Sequence, residues 1–145
     1  MQYTMFCNQC EQAENGIGCK GKSGECGKRA NISFLQDELT NEVIVLANCC
    51  RKTIYDEGTV SLMIRGLMST VSSVNFDEDA LKELLDKLQQ ERKRINQEDR
   101  RDDFECPLEK QPFELLLLIG LKGFAVYLNR CRNMGIQNQK ASEYF

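Results

Sequence analysis

Cys7, Cys10, Cys19 and Cys26 fall in one short stretch with the spacing C-x2-C-x8-C-x6-C, and they are the residues of this chain best suited to chemistry. Four thiolates closing on one centre suit a tetrahedral zinc ion or an iron-sulfur cluster. Gly16, Gly18, Gly21, Gly24 and Gly27 are threaded between and around them. Glycines at this density let the backbone fold tightly and aim N–H groups at sulfur. Structural zinc sites commonly pair two short Cys-x2-Cys knuckles, whereas here the second pair of cysteines is six residues apart. Cluster ligands tolerate uneven spacing because they surround a larger object. The residues favour a cluster over zinc and leave zinc, or a disulfide pair, open.

The chain contains no histidine, which removes His-ligated haem, Cys2His2 zinc, Ser-His triads and the usual general base near neutral pH. The remaining chemistry is that of thiolates. Lys20, Lys22, Lys28 and Arg29 crowd the same loop, where they either stay solvated or offset an anionic cluster and raise its potential.

A chain of 145 residues suits one domain with a real core, divided as a cysteine loop over 1–30, a first helical group over 31–103 and a final group over 104–145. A net charge of −3 is no invitation to nucleic acid. Eight cysteines raise the possibility of a secreted disulfide scaffold. Met1–Phe6 is too short for a signal peptide, so a reduced, cytoplasmic protein is expected. The longest apolar run, Leu115 to Leu121, falls short of a bilayer span and is expected to be a buried core helix rather than a membrane segment.

The elements that position the loop are expected to be helices. Ser33 with Gln36 has the form of a capping box, opening a helix to about Arg51 with Phe34, Leu35, Leu39, Val43, Leu46, Ala47 and Cys50 on its core stripe. Asp56 to Gly58 breaks it. A second helix is expected over Val60–Val74, with Leu62, Met63, Leu67 and Val71 buried and Asn75 at its end. Asp77 is the expected N-cap of a third, with Phe76 and Leu81 as a hydrophobic staple and Leu81, Leu84, Leu85 and Leu88 as its stripe. Glu78–Lys82 and Glu83–Lys87 are i,i+4 pairs on its outer side. From Gln89 to Asp103 only Ile95 is apolar, which predicts a solvated helical extension or a loose connection rather than core.

Pro107 and Pro112 favour helix starts, and a long helix is expected over Phe113–Met134, ended by Gly135, with Gly120 and Gly123 permitting close packing. Gln137–Phe145 begins a further helix. No alternating run bounded by hairpin dipeptides is present, so the fold class is all-α: a helical bundle preceded by a Cys/Gly-rich iron-sulfur cluster loop.

Several motifs, in order, resemble the N-terminal domain of the hybrid cluster proteins, also called prismane proteins or hydroxylamine reductases. Phe6-Cys7-Asn8-Gln9-Cys10-Glu11-Gln12 is similar to that family's F-C-x-Q-C-E-Q, Cys26-Gly27-Lys28 to its C-G-K, and Leu35-Gln36-Asp37 to its L-Q-D. Met68-Ser69-Thr70 with Val74-Asn75-Phe76-Asp77 resembles its S-T-L-x-x-V-N-F-D, and Gly120-Leu121-Lys122-Gly123 its G-L-K-G. The resemblance covers most of the chain. It implies that Cys7, Cys10, Cys19 and Cys26 bind a simple cluster, 4Fe-4S by the middle gap, with 2Fe-2S open because the last gap is that of the other subclass. The family's hybrid cluster, which carries hydroxylamine or nitric oxide chemistry, is ligated in later domains with no counterpart in this sequence.

Cys49, Cys50, Cys106 and Cys131 lie outside that ligand set. Adjacent helical residues point about 100° apart, so Cys49 and Cys50 are expected to serve in packing, with a second metal site as the alternative. The expected function is one-electron transfer by a 4Fe-4S protein, with no catalytic residue of its own. The alternatives are a hydroxylamine or nitric oxide reductase acting with a partner subunit or second cluster, and a metal-stapled interaction module. The expected partners are a redox protein and a second copy of the chain, joined through the apolar last third; neither nucleic acid nor membrane is expected.

Overall fold

The structure is a computed structural model that describes residues 4–7, 10, 17–51, 53–71, 75–95, 111–136 and 140, without the side chains of 111–113. The elements in order are β1 (Met5–Cys7), β2 (Cys19–Gly21), α1 (Ala30–Cys50), α2 (Glu57–Ser69), α3 (Glu78–Ile95) and α4 (Gln111–Asn133). The fold is mainly helical, as expected. The two strands were not expected: they pair antiparallel, Met5 with Gly21, Phe6 with Lys20 and Cys7 with Cys19. Three residues carry too little alternation to be read from a sequence, and long-range backbone pairing forms them.

Helix α1 starts three residues before the expected capping box. Its N-cap is Arg29 with no side-chain cap, and Ser33 N already donates to Arg29 O as the first helical bond. Ser33 and Gln36 are thus inside the helix, and Gln36 Nε2 serves the tertiary structure instead, donating to Ser69 O and Asn75 O. That clamp ties α1 to the end of α2 and the approach to α3. Leu35, Leu39, Val43, Leu46 and Cys50 form the buried stripe, whereas Phe34 and Ala47 lie exposed.

Asp56 caps α2 by accepting from Thr59 N, so Glu57 and Gly58, expected as a break after the first helix, open the second three residues before the expected Val60. The helix ends at Ser69, short of the expected Val74. Met63 and Leu67 are buried as expected, Leu62 and Val71 only partly, and Ile64 lies deepest. Gly66 lets α2 meet two neighbours: a Cβ there would stand 2.7 Å from Val43 Cγ2 and 3.2 Å from Leu88 Cδ1.

In α3 the Asp77 carboxylate accepts from Asp79 N and Ala80 N, confirming the cap. Leu81, Leu84 and Leu88 are buried and both i,i+4 ion pairs form. Phe76, the outer half of the expected staple, is exposed. The expected solvated extension is helical to Ile95 and not wholly solvated, since Arg92 is buried and its Nε donates to Glu42 Oε1 at 2.6 Å. At the α2–α3 corner, Glu91 accepts from Arg94 and Thr59, and Arg94 also reaches Asp56.

Helix α4 closes with a Schellman motif: Gly135 has φ +72°, its N–H donates to Arg132 O, and Ile136 N–H donates to Cys131 O. The expectation of a buried core helix over Leu115–Leu121 does not hold. Leu115, Leu116, Leu117 and Ile119 are exposed, and α4 joins the core through Ala125 and Leu128. Nothing lies within 4 Å of a Cβ built on Gly120 or Gly123, so neither makes the expected close helix contact among the described residues. The reason is packing order: α1 rests on α2 and α3, while α4 lies chiefly on α2. No described helix is long and apolar enough to cross a membrane. The expected helix over 137–145 lies outside the described residues, Lys140 excepted.

Candidate metal centre

The β1–β2 ladder places Cys7 and Cys19 opposite each other on its inner face, where both are buried with Met5 and Ala30 in a small cluster separate from the main core. On the outer face, Phe6 sits against Gly18, where a Cβ would come within 2.6 Å of the ring, and Lys20 Nζ lies 5.9 Å from the ring centroid. Any larger residue at position 18 displaces the exposed Phe6 ring from its seat over the strand pair.

Past β2 the chain reverses. Gly27 N–H donates to Gly24 O, Gly24 N–H to Lys28 O and Ala30 N–H to Lys22 O, and Ser23 bridges to Arg29. Gly21 and Gly27, at φ +96° and +81°, occupy the left-handed region that makes glycine the favoured residue at both turns. Cys26 is half-buried in this turn, and Gly24 packs near the Cys19 sulfur. Cys10, also half-buried, follows β1.

All four expected ligands are free thiols, as are the half-buried Cys49 and Cys131 and the buried Cys50. Among the described residues, no three Cys, Asp or Glu side chains gather as closely as a single metal ion requires. Burial raises the Cys50 thiol pKa, with Cys49 and Glu91 adding to the effect, which suits packing rather than ligation. Cys106 lies outside the described residues.

The four basic residues of the loop divide sharply. Lys20, Lys22 and Arg29 are exposed, whereas Lys28 is wholly buried and its Nζ donates to Cys7 Sγ at 3.8 Å. A buried ammonium needs an anion. A cluster held by four thiolates is a net anion, so this donor set, with Cys7 and Cys19 buried and a cation directed at one sulfur, fits the group.

Two further charged residues are coupled electrostatically to Lys28. Lys122 of α4 is buried and its pKa falls to about 8, because burial outweighs the attraction of Asp37 and Cys7 while Lys28 repels it. Desolvation raises the Asp37 pKa against the opposing pull of Lys122 and Lys28. A sequence signal for Lys122 does exist: a lone cation at the helical period of Leu118, Ala125 and Leu128 marks a core-facing position.

The chain matches the Prismane/CO dehydrogenase family over residues 5–139. It is 42% identical over 81 residues to the hydroxylamine reductase of Geobacter sulfurreducens, which covers 53% of this chain and 14% of that protein. Over 98 residues it is 35% identical to the hydroxylamine reductases of Acidithiobacillus ferrooxidans and Rhodobacter capsulatus, in each case 63% of this chain and 18% of the relative. The matched stretch thus spans less than a fifth of these relatives. With a match from β1 to beyond α4, the chain belongs to the Prismane/CO dehydrogenase family.

Proposed function

We propose that the chain transfers single electrons through a 4Fe-4S cluster held by Cys7, Cys10, Cys19 and Cys26. Family membership supports a metal-cluster redox protein that binds iron and sulfur. The observation that carries the finer reading is the buried pair Cys7 and Cys19 with the Lys28 ammonium directed at the Cys7 sulfur. The cluster supplies two oxidation states one electron apart. The chain supplies thiolate ligands, a turn shaped by Gly21 and Gly27, and a compensating cation. We place this chemistry in the reducing cytoplasm, where thiolates persist.

The test is iron, zinc and acid-labile sulfide per chain in anaerobically purified protein, with EPR before and after dithionite. About four iron and four sulfide with a reduced-state signal support the proposal. About two of each make the cluster 2Fe-2S, and zinc without sulfide overturns electron transfer.

The names of the relatives favour a second reading, hydroxylamine reduction in concert with a partner subunit or further cluster. Oxidation of a reduced dye on addition of hydroxylamine, by this chain alone or with its redox partner, would establish it. The homodimer is likewise our proposal, supported by the exposed Leu115, Leu116, Leu117 and Tyr127 of α4. Sedimentation showing only monomer at micromolar concentration overturns it.

A further inference from the structure

Two hydrogen bonds fix Lys28 between distant parts of the ligand set. Its backbone carbonyl accepts from Gly24 N at 2.8 Å, which holds it in the turn that carries Cys26. Its side chain crosses to β1, where Nζ donates to Cys7 Sγ at 3.8 Å, 21 residues back along the chain. None of its surface is exposed. Lys20 and Lys22 provide the contrast within the same loop. Successive strand residues face opposite sides, so Lys20 lies with Phe6 on the outer face of the ladder, 5.9 Å from the ring centroid and turned away from Cys7 and Cys19. Lys22, past the end of β2, is exposed. Solvent and salt screen an exposed charge, whereas a buried one acts on its neighbours at far lower dielectric.

We propose that Lys28 sets the reduction potential of the centre held by the four cysteines, through its buried N–H···S contact with the Cys7 ligand, and that Lys20 and Lys22 do not. The proposal rests on the cluster reading of Cys7, Cys10, Cys19 and Cys26. Reduction adds one electron, and hence one negative charge, to the centre. A fixed cation donating to a ligand sulfur stabilises the reduced form more than the oxidised form, which raises the potential. Lys28 is therefore a positioning residue for charge: it touches a ligand atom and acts through it.

The experiment is an anaerobic redox titration, followed by EPR, of the intact wild-type chain and of Lys28→Met, Lys28→Gln, Lys28→Arg, Lys20→Met and Lys22→Met, each with iron and sulfide measured. At a fixed potential the reduced-to-oxidised ratio is expected to fall about tenfold in Lys28→Met, equivalent to ~59 mV for one electron. In Lys20→Met and Lys22→Met it is expected to change less than about twofold, because their charges are screened. A loaded Lys28→Met with the wild-type ratio overturns the role of Lys28 and leaves the cluster reading intact. An equal fall in Lys20→Met and Lys22→Met also overturns it, since the effect then follows net charge rather than the buried contact. If Lys28→Met does not load, Lys28→Gln, which keeps an N–H donor without the charge, is read in its place: a lower ratio supports the proposal and the wild-type ratio overturns it. If neither neutral variant loads, loading of Lys28→Arg supports a required cation and its failure overturns the proposal. Wild-type protein without iron and sulfide overturns the cluster reading itself.

Discussion

Helices α3 and α4 differ most in what they leave exposed. The largely polar α3 sends Leu81, Leu84 and Leu88 into the core, while α4, with the longest apolar run of the chain, leaves Leu115, Leu116 and Leu117 exposed and buries Lys122. Their neighbours account for the difference. Helix α3 packs on both α1 and α2, so one narrow stripe is fully covered, whereas α4 lies chiefly on α2. Burial follows where a helix lies in the packing order rather than how apolar it is.

The contrast can be broken by substitution. The largest effect is expected at the buried ion pair, where Arg92→Met leaves Glu42 as an uncompensated buried charge and costs about 3–5 kcal/mol in denaturant unfolding. Almost as large is Leu88→Ala, at about 2–5 kcal/mol, while Leu116→Ala on the exposed run of α4 changes stability by less than about 0.5 kcal/mol. Equal costs at Leu88 and Leu116 would show that another surface covers α4 in solution.

The glycines sharpen the same comparison. Gly66→Ala drives a methyl into Val43 and is expected to cost about 1–3 kcal/mol, whereas Gly120→Ala meets nothing and gains about 0.5–1 kcal/mol through its helix propensity. Thermal melts of the two variants should move in opposite directions.

A further effect is one of pH. The folded-state pKa of Lys122 lies near 8, below its ordinary 10.5, so between those values the unfolded chain binds more protons than the folded one. The stability of cluster-free protein is therefore expected to rise from about pH 8 to pH 10.5, and Lys122→Met to abolish that rise.

Helix caps and short-range pairs were legible because their partners lie within one turn. Asp77, Gly135, Glu78–Lys82 and Glu83–Lys87 all stand as read. The apparent capping box at Ser33 failed because Gln36 has stronger use for its amide across the fold, at Ser69 O and Asn75 O. The cysteine loop was legible as a site through ligand type and spacing. Its strands were not, since the pairing of Cys7 with Cys19 is a contact between segments that no local period records.

By itself the sequence determined the helical class, the start of α3, the close of α4 and the four thiols that offer themselves as ligands, because propensity, capping and side-chain chemistry are properties of neighbouring residues. Only the tertiary structure decided that Lys28 lies inside while Lys20 and Lys22 stay out, that Arg92 finds Glu42, and that Lys122 is buried. A charged side chain reads alike on a surface and in a core, and its burial depends on which distant segment brings the opposing charge.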